Sequence, residues 1–189
     1  MELFPLFLKL HGRRVLVVGA GPVAASKLAG LLAAGADVTV VAPDVCPQIR
    51  ASGVPVKQRG FAESDLEGVW YVVAAATPDV NARVARAAES RHLFVNAVDD
   101  PPNATAYLGG VVRRAGVTVA ISTSGHAPAL AGLLREGVDA LLPDDLDRWL
   151  DASREARIEW KARGIPMEER RPLLLDALNA IYTKTESPA

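Results

Sequence analysis

A glycine-rich turn is the segment whose residue types point most directly to chemistry. Residues 19–24 read GAGPVA, a GxGxxA pattern between an apolar run and an Ala- and Leu-rich segment. The first glycine permits a tight turn, the second lets the backbone approach a pyrophosphate, and the small third residue allows close helix–strand packing. The alternative is a glycine turn that binds no ligand. Because proline has no amide hydrogen, the next two amides are the expected donors to the anion. The residues predicted to bind a dinucleotide are Gly19, Gly21, Pro22, Val23 and Ala24.

The adenosine ribose of a dinucleotide is usually bound by an acidic residue about 20 positions after the turn, at the end of the second strand. Asp44 lies near that spacing, displaced by one residue through Pro43, which we include in the predicted site. No arginine follows the strand directly to bind a 2′-phosphate, and the nearest is Arg50. This favours NAD over NADP. Asp44 also fits an ordinary turn or helix-capping residue.

Polar residues follow two further predicted strands. Thr77 comes after the fourth strand and fits either a contact to the cofactor or a cap of the next helix. Asn96 and Asp99 stand at the carboxyl end of the fifth strand, and the carboxyl ends of parallel strands line one crevice. We therefore predict Thr77 and Asn96 to bind the cofactor. Asp99, before another aspartate and two prolines, also fits a turn residue.

Alternating strands and helices must position these residues. Apolar runs bounded by charges, glycine or proline predict buried strands, and Ala-rich segments between them predict helices. Repeated strand–helix alternation predicts an α/β fold with a Rossmann-like parallel sheet. The predicted strands are 13–19, 37–42, 54–58, 69–75 and 93–98, and the predicted helices are 23–34 and 79–91.

The pattern changes after the fifth strand. Apolar segments 104–113 and 117–123 predict a hairpin, and the helices that follow are predicted at 128–142, 145–163 and 168–183. We therefore divide the chain into a Rossmann-like NAD-binding domain (1–112), a hairpin-and-helix segment (113–143) and a small all-helical domain (144–189).

Composition narrows the function classes. The 189 residues carry 21 basic and 22 acidic side chains, a net charge of −1, which argues against a nucleic-acid partner. No apolar run reaches the length of about 20 residues that spans a membrane. The single cysteine excludes an internal disulfide framework. The three histidines are scattered, so we predict no stored metal, with His126 as the best candidate for a transient contact. A cytoplasmic location is expected.

Linked motifs over about residues 3–146 resemble the precorrin-2 dehydrogenase family, which also forms the amino-terminal part of siroheme synthases. The blocks that carry the resemblance are GAGPVAASKLAGLL, VVAP, AAATPD, VNAVDDPPNATAY and VAISTSGHAPALAGLLRE. The resemblance implies NAD-dependent oxidation of precorrin-2 to sirohydrochlorin in siroheme or cobalamin biosynthesis. It assigns the essential aspartate of the NAVDDP block to Asp99. It also implies a polar substrate loop, whose residues here are Ser122, Thr123, Ser124, Gly125 and His126.

The sequence departs from the family at several positions. Ser26-Lys27 stands where members often have Arg-Lys, and Thr123 and Ala127 stand where some bifunctional members carry serines. Ser122–Pro128 also fits an ordinary cap of the following helix.

Two other functions remain open. The first is a bifunctional dehydrogenase that also inserts iron, and the second is a non-enzymatic NAD(H)-sensing domain. From this length we expect no methyltransferase half of the kind that longer siroheme synthases contain. The resemblance implies that residues 113–143 are a dimerisation segment. The region after the first domain also has too few residues to bury a core alone, so the apolar hairpin is predicted to form a homodimer interface.

Overall fold

The computed structural model describes residues 2–183, which form two compact units. The first unit contains the described residues up to Leu108 together with Ser124–His126. The second contains Gly109–Thr123 and the described residues from Ala127 onward. Met1 and residues 184–189, which fall in the predicted first and third domains, lie outside the described residues.

A five-stranded parallel sheet forms the centre of the first unit, which confirms the predicted Rossmann-like fold. The strand order is β3-β2-β1-β4-β5. Each strand lies within a segment predicted from the apolar runs, although β3 contains only two residues. The strands are β1 (Arg14–Val18), β2 (Asp37–Val41), β3 (Val56–Lys57), β4 (Tyr71–Ala74) and β5 (Phe94–Ala97).

Helices cover both faces of this sheet. The helices are α1 (Pro22–Ala33), α2 (Pro47–Ala51) and α3 (Pro78–Glu89). Successive side chains of β1 alternate between two apolar clusters, one containing Leu28 of α1 and the other containing Val84 of α3. This explains why the strand reads as a continuous apolar run. Helix α2 was not predicted, because five residues with one buried side chain, Ile49, show no helical periodicity.

An ion cluster fixes the chain beyond β3. The buried carboxylate of Asp65 accepts hydrogen bonds from Arg59 at 2.6 Å, Lys57 at 2.9 Å and the Ala62 amide at 3.0 Å. The hydrogen bond from Arg59, followed by that from Lys57, holds the pKa of Asp65 well below its usual range. This cluster joins the end of β3 to the short 3₁₀ turn Glu63–Leu66.

An antiparallel hairpin begins the second unit, formed by β6 (Gly110–Arg114) and β7 (Val117–Ile121). The predicted first arm, 104–113, was wrong in its first half. The amides of Thr105 and Ala106 instead donate to the Val95 carbonyl of β5, and the Thr105 hydroxyl accepts from the Val95 amide. These bonds keep residues 105–106 with the parallel sheet.

Three helices complete the second unit: α4 (Pro128–Leu141), α5 (Leu146–Ala162) and α6 (Arg170–Thr183). Arg114 of β6 holds Asp139 and the Leu142 carbonyl at 2.8 and 2.9 Å. The α6 helix starts later than predicted because Met167–Glu169 forms a 3₁₀ turn. Within residues 2–183, no helix has the length and apolar character needed to cross a membrane.

Candidate functional site

Gly19 follows β1, at a point where the chain passes close to the end of β4. Its φ is +102°, and a Cβ at this position would overlap the Ala75 carbonyl oxygen. Its amide donates to the Val41 carbonyl of β2 at 2.9 Å. The fold itself therefore requires glycine here, because the turn must pass between the ends of two neighbouring strands.

No contact among the described residues requires glycine at position 21. It precedes α1 with φ −84° and ψ −176°, an extended conformation that any residue adopts, and a Cβ would meet nothing within 4 Å. The space above the backbone is open. A pyrophosphate lying close to the main chain would fill that space, so the turn fits a dinucleotide.

The amino end of α1 supplies free donors for such an anion. No side chain caps the helix, and the Ala25 amide makes a bond to the Gly21 carbonyl at 3.0 Å. The preceding amides of Val23 and Ala24 have no acceptor inside the helix. The Ala24 side chain is completely buried in the core, so its small size permits α1 to approach the sheet. The helix end can therefore bind a phosphate.

Pro43 and Asp44 lie in the turn between β2 and α2. The Cys46 amide donates to the Ala20 carbonyl at 2.9 Å, which ties this turn to the glycine turn. Asp44 is exposed. The guanidinium of Arg50 is held by the Val45 carbonyl at 3.1 Å. An exposed carboxylate beside the glycine turn has the chemistry to accept hydrogen bonds from ribose hydroxyls.

Thr77 occupies the N-cap position of α3, but its side chain makes no capping hydrogen bond. Instead Asn81, almost fully buried, accepts the Ala76 amide at 3.0 Å. The loop after β4 is thus fixed by Asn81, and the exposed Thr77 hydroxyl is left for other partners.

Asn96 is buried on β5. Its Nδ2 donates to the Ala106 carbonyl at 3.0 Å, while its Oδ1 accepts no hydrogen bond from the described residues and is closed to solvent. The contact that the structure shows is therefore with the segment that follows β5, and this contact fixes the position of residues 105–107.

The two aspartates after β5 have different environments. Asp100 accepts hydrogen bonds from the Asn103 side chain at 2.9 and 3.0 Å and begins the 3₁₀ turn Pro101–Asn103. Asp99 is exposed, has φ +54°, and makes no hydrogen bond or ion pair with residues 2–183. The Val98 amide donates to Ala74 at 2.9 Å, so Asp99 lies beside the end of β4. Asp99 is the carboxylate available for chemistry.

The loop Ser124–His126 packs in the first unit against the segment that follows Asp99. Ser124 and Gly125 are both left-handed, with φ +55° and +78°. A Cβ on Gly125 would lie 3.2 Å from the Tyr107 ring and 3.7 Å from Pro101. His126 is exposed. The structure thus brings part of the predicted substrate loop to the Asp99 turn, although 25 positions separate them in the chain.

Ser122 and Thr123 belong to the second unit. The Thr123 hydroxyl accepts the Ala127 amide at 3.2 Å, immediately before α4. This bond closes the turn before α4 but is not a helix cap, because Ala127 is the N-cap residue and no side chain caps α4.

Ionisable groups with shifted pKa values serve the fold. Burial raises the pKa of Tyr71, which begins β4 at the end opposite Ala75, and Asp65 belongs to the cluster beyond β3. Among residues 2–183, no three His, Cys, Asp or Glu side chains converge as metal ligands would.

A sequence profile described as “Putative NAD(P)-binding” matches residues 6–110, more than half of the chain. The chain belongs to this NAD(P)-binding family. The match covers the five strands and the glycine turn, the part of the molecule in which Gly21 and the amino end of α1 fit a dinucleotide.

Individual relatives carry more specific names. A siroheme synthase of Sodalis glossinidius is 41% identical over 188 residues, covering 96% of this chain and 40% of the relative. Siroheme synthase 3 of Aeromonas hydrophila is 42% identical over 176 residues, covering 90% and 38%. The chain therefore spans about 40% of the length of these curated relatives. The solved structure of SirC, a precorrin-2 dehydrogenase, has a TM-score of 0.70 and 27% identity, covering 92% of this chain and 88% of that one.

These relatives confirm the resemblance to the precorrin-2 dehydrogenase and siroheme synthase family that the sequence motifs predicted. Within this member of the NAD(P)-binding family, the first unit gathers the glycine turn, the ends of β4 and β5 and the loop Ser124–His126. Sequence reasoning missed Asn81 and Tyr107. Asn81 carried no signal beyond its place in α3, whereas Tyr107 ends the VNAVDDPPNATAY block.

Proposed function

We propose that the protein is a cytoplasmic NAD-dependent dehydrogenase that oxidises precorrin-2 to sirohydrochlorin in tetrapyrrole biosynthesis. The observation that carries this proposal is the unpaired carboxylate of Asp99, beside the strand end that contacts the glycine turn. The siroheme synthase relatives and the SirC structure support the choice of substrate.

The cofactor would be held by the first unit. The amides of Val23 and Ala24 would bind the pyrophosphate above Gly21, and Asp44 would accept hydrogen bonds from the adenosine ribose. Pro43 and Gly19 shape the turns on either side, and Thr77 and Asn96 stay predicted contacts at the ends of β4 and β5. When bound, NAD supplies the acceptor for a hydride. The exposed Asp44 carboxylate disfavours a 2′-phosphate, so we propose NAD rather than NADP.

Asp99 would act on the substrate. Oxidation of precorrin-2 removes a hydride and a proton from the macrocycle, and an exposed carboxylate accepts that proton or holds the ring in register. Left-handed backbone at a residue other than glycine has an energetic cost, and four described residues have it, namely His92, Asp99, Ala115 and Ser124. Asp99 and Ser124 are the two that lie in the candidate site. Ser124–His126 would contact the peripheral carboxylates of the substrate, and Ser122 and Thr123 stay predicted contacts.

We also propose a homodimer. Four exposed leucines recur along one stripe of α4 with helical spacing, and isolated soluble proteins rarely leave such a stripe uncovered. A second copy of the chain is the proposed occupant, as the resemblance implies. The leucines are Leu130, Leu133, Leu134 and Leu141.

The test compares two neighbouring aspartates. Purified protein is mixed with NAD⁺ and precorrin-2, and the formation of NADH and sirohydrochlorin is followed. Asp99→Asn keeps the size and tolerates left-handed backbone, so it should lower kcat by about 100-fold or more with unchanged affinity for NAD⁺. Asp100→Asn is the matched control and should stay near the parental rate, because Asp100 binds Asn103.

Other outcomes separate the competing functions. Parental turnover by Asp99→Asn would remove this residue from the mechanism. NAD⁺ binding without any oxidation of precorrin-2 by the parent would favour the sensing domain. Gly21→Asp should abolish NAD⁺ binding with an unchanged urea midpoint, because the position is open. Iron insertion into sirohydrochlorin, corrected for the spontaneous rate, distinguishes a bifunctional enzyme.

A further inference from the structure

Tyr107 stands where two remote segments of the first unit meet. Its ring lies against Gly125, where an added Cβ would be 3.2 Å from Cε1 and 3.5 Å from Cδ1. Its hydroxyl donates to the Pro101 carbonyl at 3.4 Å. One aromatic side chain therefore contacts both the loop Ser124–His126 and the 3₁₀ turn that begins two residues after Asp99.

Tyr107 is itself anchored to the sheet. Thr105 and Ala106, immediately before it, bond to Val95 of β5, and the buried Asn96 side chain holds the Ala106 carbonyl at 3.0 Å. A continuous set of contacts runs from β5 through residues 105–106 to the ring. The backbone that carries the ring is therefore held by a strand of the core.

Both segments that touch the ring carry backbone strain. Asp99 and Ser124 have φ of +54° and +55°, and neither is glycine. Such conformations persist when surrounding structure determines them. Gly125 has φ +78° and no Cβ, which lets the ring approach the loop backbone directly.

We infer that Tyr107 is a positioning residue whose ring sets the Ser124–His126 loop against the Asp99 turn, so that the two segments face the substrate in a fixed geometry. The part that concerns substrate rests on the proposed function. The ring, rather than the hydroxyl, does this, because a hydrogen bond at 3.4 Å is at the weak limit. Misplacement of reacting groups by about 1 Å costs about 100-fold in rate.

The experiment compares Tyr107→Leu with Tyr107→Phe. Tyr107→Leu should lower kcat for precorrin-2 by about 100-fold with unchanged affinity for NAD⁺. Tyr107→Phe should restore kcat to within about threefold of the parent, because the ring is retained. A purely structural role would instead lower the unfolding midpoint and NAD⁺ affinity together. Equal loss in both variants would overturn the assignment to the ring.

A substrate-free measurement keeps this inference separate from the proposed function. Hydrogen–deuterium exchange of the peptide containing residues 124–126 should rise in Tyr107→Leu, while exchange in β1 and β4 stays parental. If the parent fails to oxidise precorrin-2, the proposed function fails, but the exchange result still decides whether the ring holds the loop. Parental exchange in Tyr107→Leu would overturn the inference.

The glycine side of the contact offers a matched pair. Gly125→Ala and Gly53→Ala both place an alanine at left-handed φ, +78° and +73°, but only the first pushes on a ring, since Gly53 has open space. Gly125→Ala should raise loop exchange and lower kcat, and Gly53→Ala should do neither. The Gly125→Ala effect should shrink in the Tyr107→Leu background. Additive effects would contradict a shared contact.

Discussion

In the first unit, β1, β4 and most of β2 are buried between two apolar clusters, each with a helix on its outer side. Among the described residues of the second unit, the buried apolar side chains are Val112, Ala131 and Leu146, and none of them belongs to α6. A parallel sheet with helices on both faces closes its own core, whereas a hairpin with helices leaves leucines exposed. The closed unit holds left-handed loops at its strand ends, and the open unit leaves the α4 leucines exposed.

The largest effect is expected from Gly19→Ala, which tests how rigid the closed unit is. The new Cβ would overlap the Ala75 carbonyl at φ +102°. We expect a loss of about 4 kcal/mol in the free energy of unfolding, from left-handed strain plus overpacking. Urea unfolding checks it. Gly21→Ala is the control and should keep the parental midpoint while weakening NAD⁺ binding; a parental midpoint for Gly19→Ala would refute the rigid turn.

The second prediction tests the open unit. Leu133 is 65% exposed on α4, so Leu133→Glu should leave the monomer folded while placing a charge in the proposed dimer interface. We expect the dissociation constant of the dimer to rise by about 100-fold, which corresponds to about 2.7 kcal/mol of lost association free energy. Sedimentation velocity over a concentration series measures it. Ile158→Glu, at an aliphatic side chain 72% exposed on α5, is the control. Equal association of both variants would leave the α4 stripe without a role in assembly.

The smallest of the three effects concerns the edge of the closed unit. Asp65→Asn removes the charge that binds Arg59 and Lys57, and we expect a loss of about 2 kcal/mol near pH 7. Because the pKa of Asp65 is lowered on folding, its contribution is fully present above the unfolded pKa of about 4 and is lost as the pH falls further. The difference in urea midpoint between parent and variant should be constant from pH 7 to about pH 5 and should narrow towards pH 3 without vanishing, because the folded-state pKa lies lower still. A pH-independent difference would contradict this account.

Much of the first unit could be predicted because its signals are local. Apolar runs bounded by charges or glycine predicted all five strands of the parallel sheet. The spacing of Gly19 and Gly21 predicted the turn. Nothing local distinguished the two glycines. Only the structure shows that Gly19 is required by the nearby Ala75 carbonyl, whereas Gly21 lies below open space.

Other features depend on contacts that no local pattern encodes. Residues 105–106 belong to the segment whose pattern predicted the first arm of the hairpin, but in the structure their amides donate to the Val95 carbonyl of β5. Asp99 and Asp100 are equivalent by composition, and the hydrogen bonds from Asn103 separate them. Helix α2 was not predicted because a single buried isoleucine shows no helical periodicity.

The sequence by itself determined the parallel sheet, the glycine turn and the family resemblance, because strand periodicity and glycine spacing act over a few residues. The tertiary structure alone decided which aspartate is left unpaired, and that the loop Ser124–His126 lies against Tyr107. The first depends on the Asn103 side chain turning back onto Asp100. The second depends on segments far apart in the chain, one of which is held by β5. Side-chain partners across such distances follow from the fold and cannot be derived from spacing.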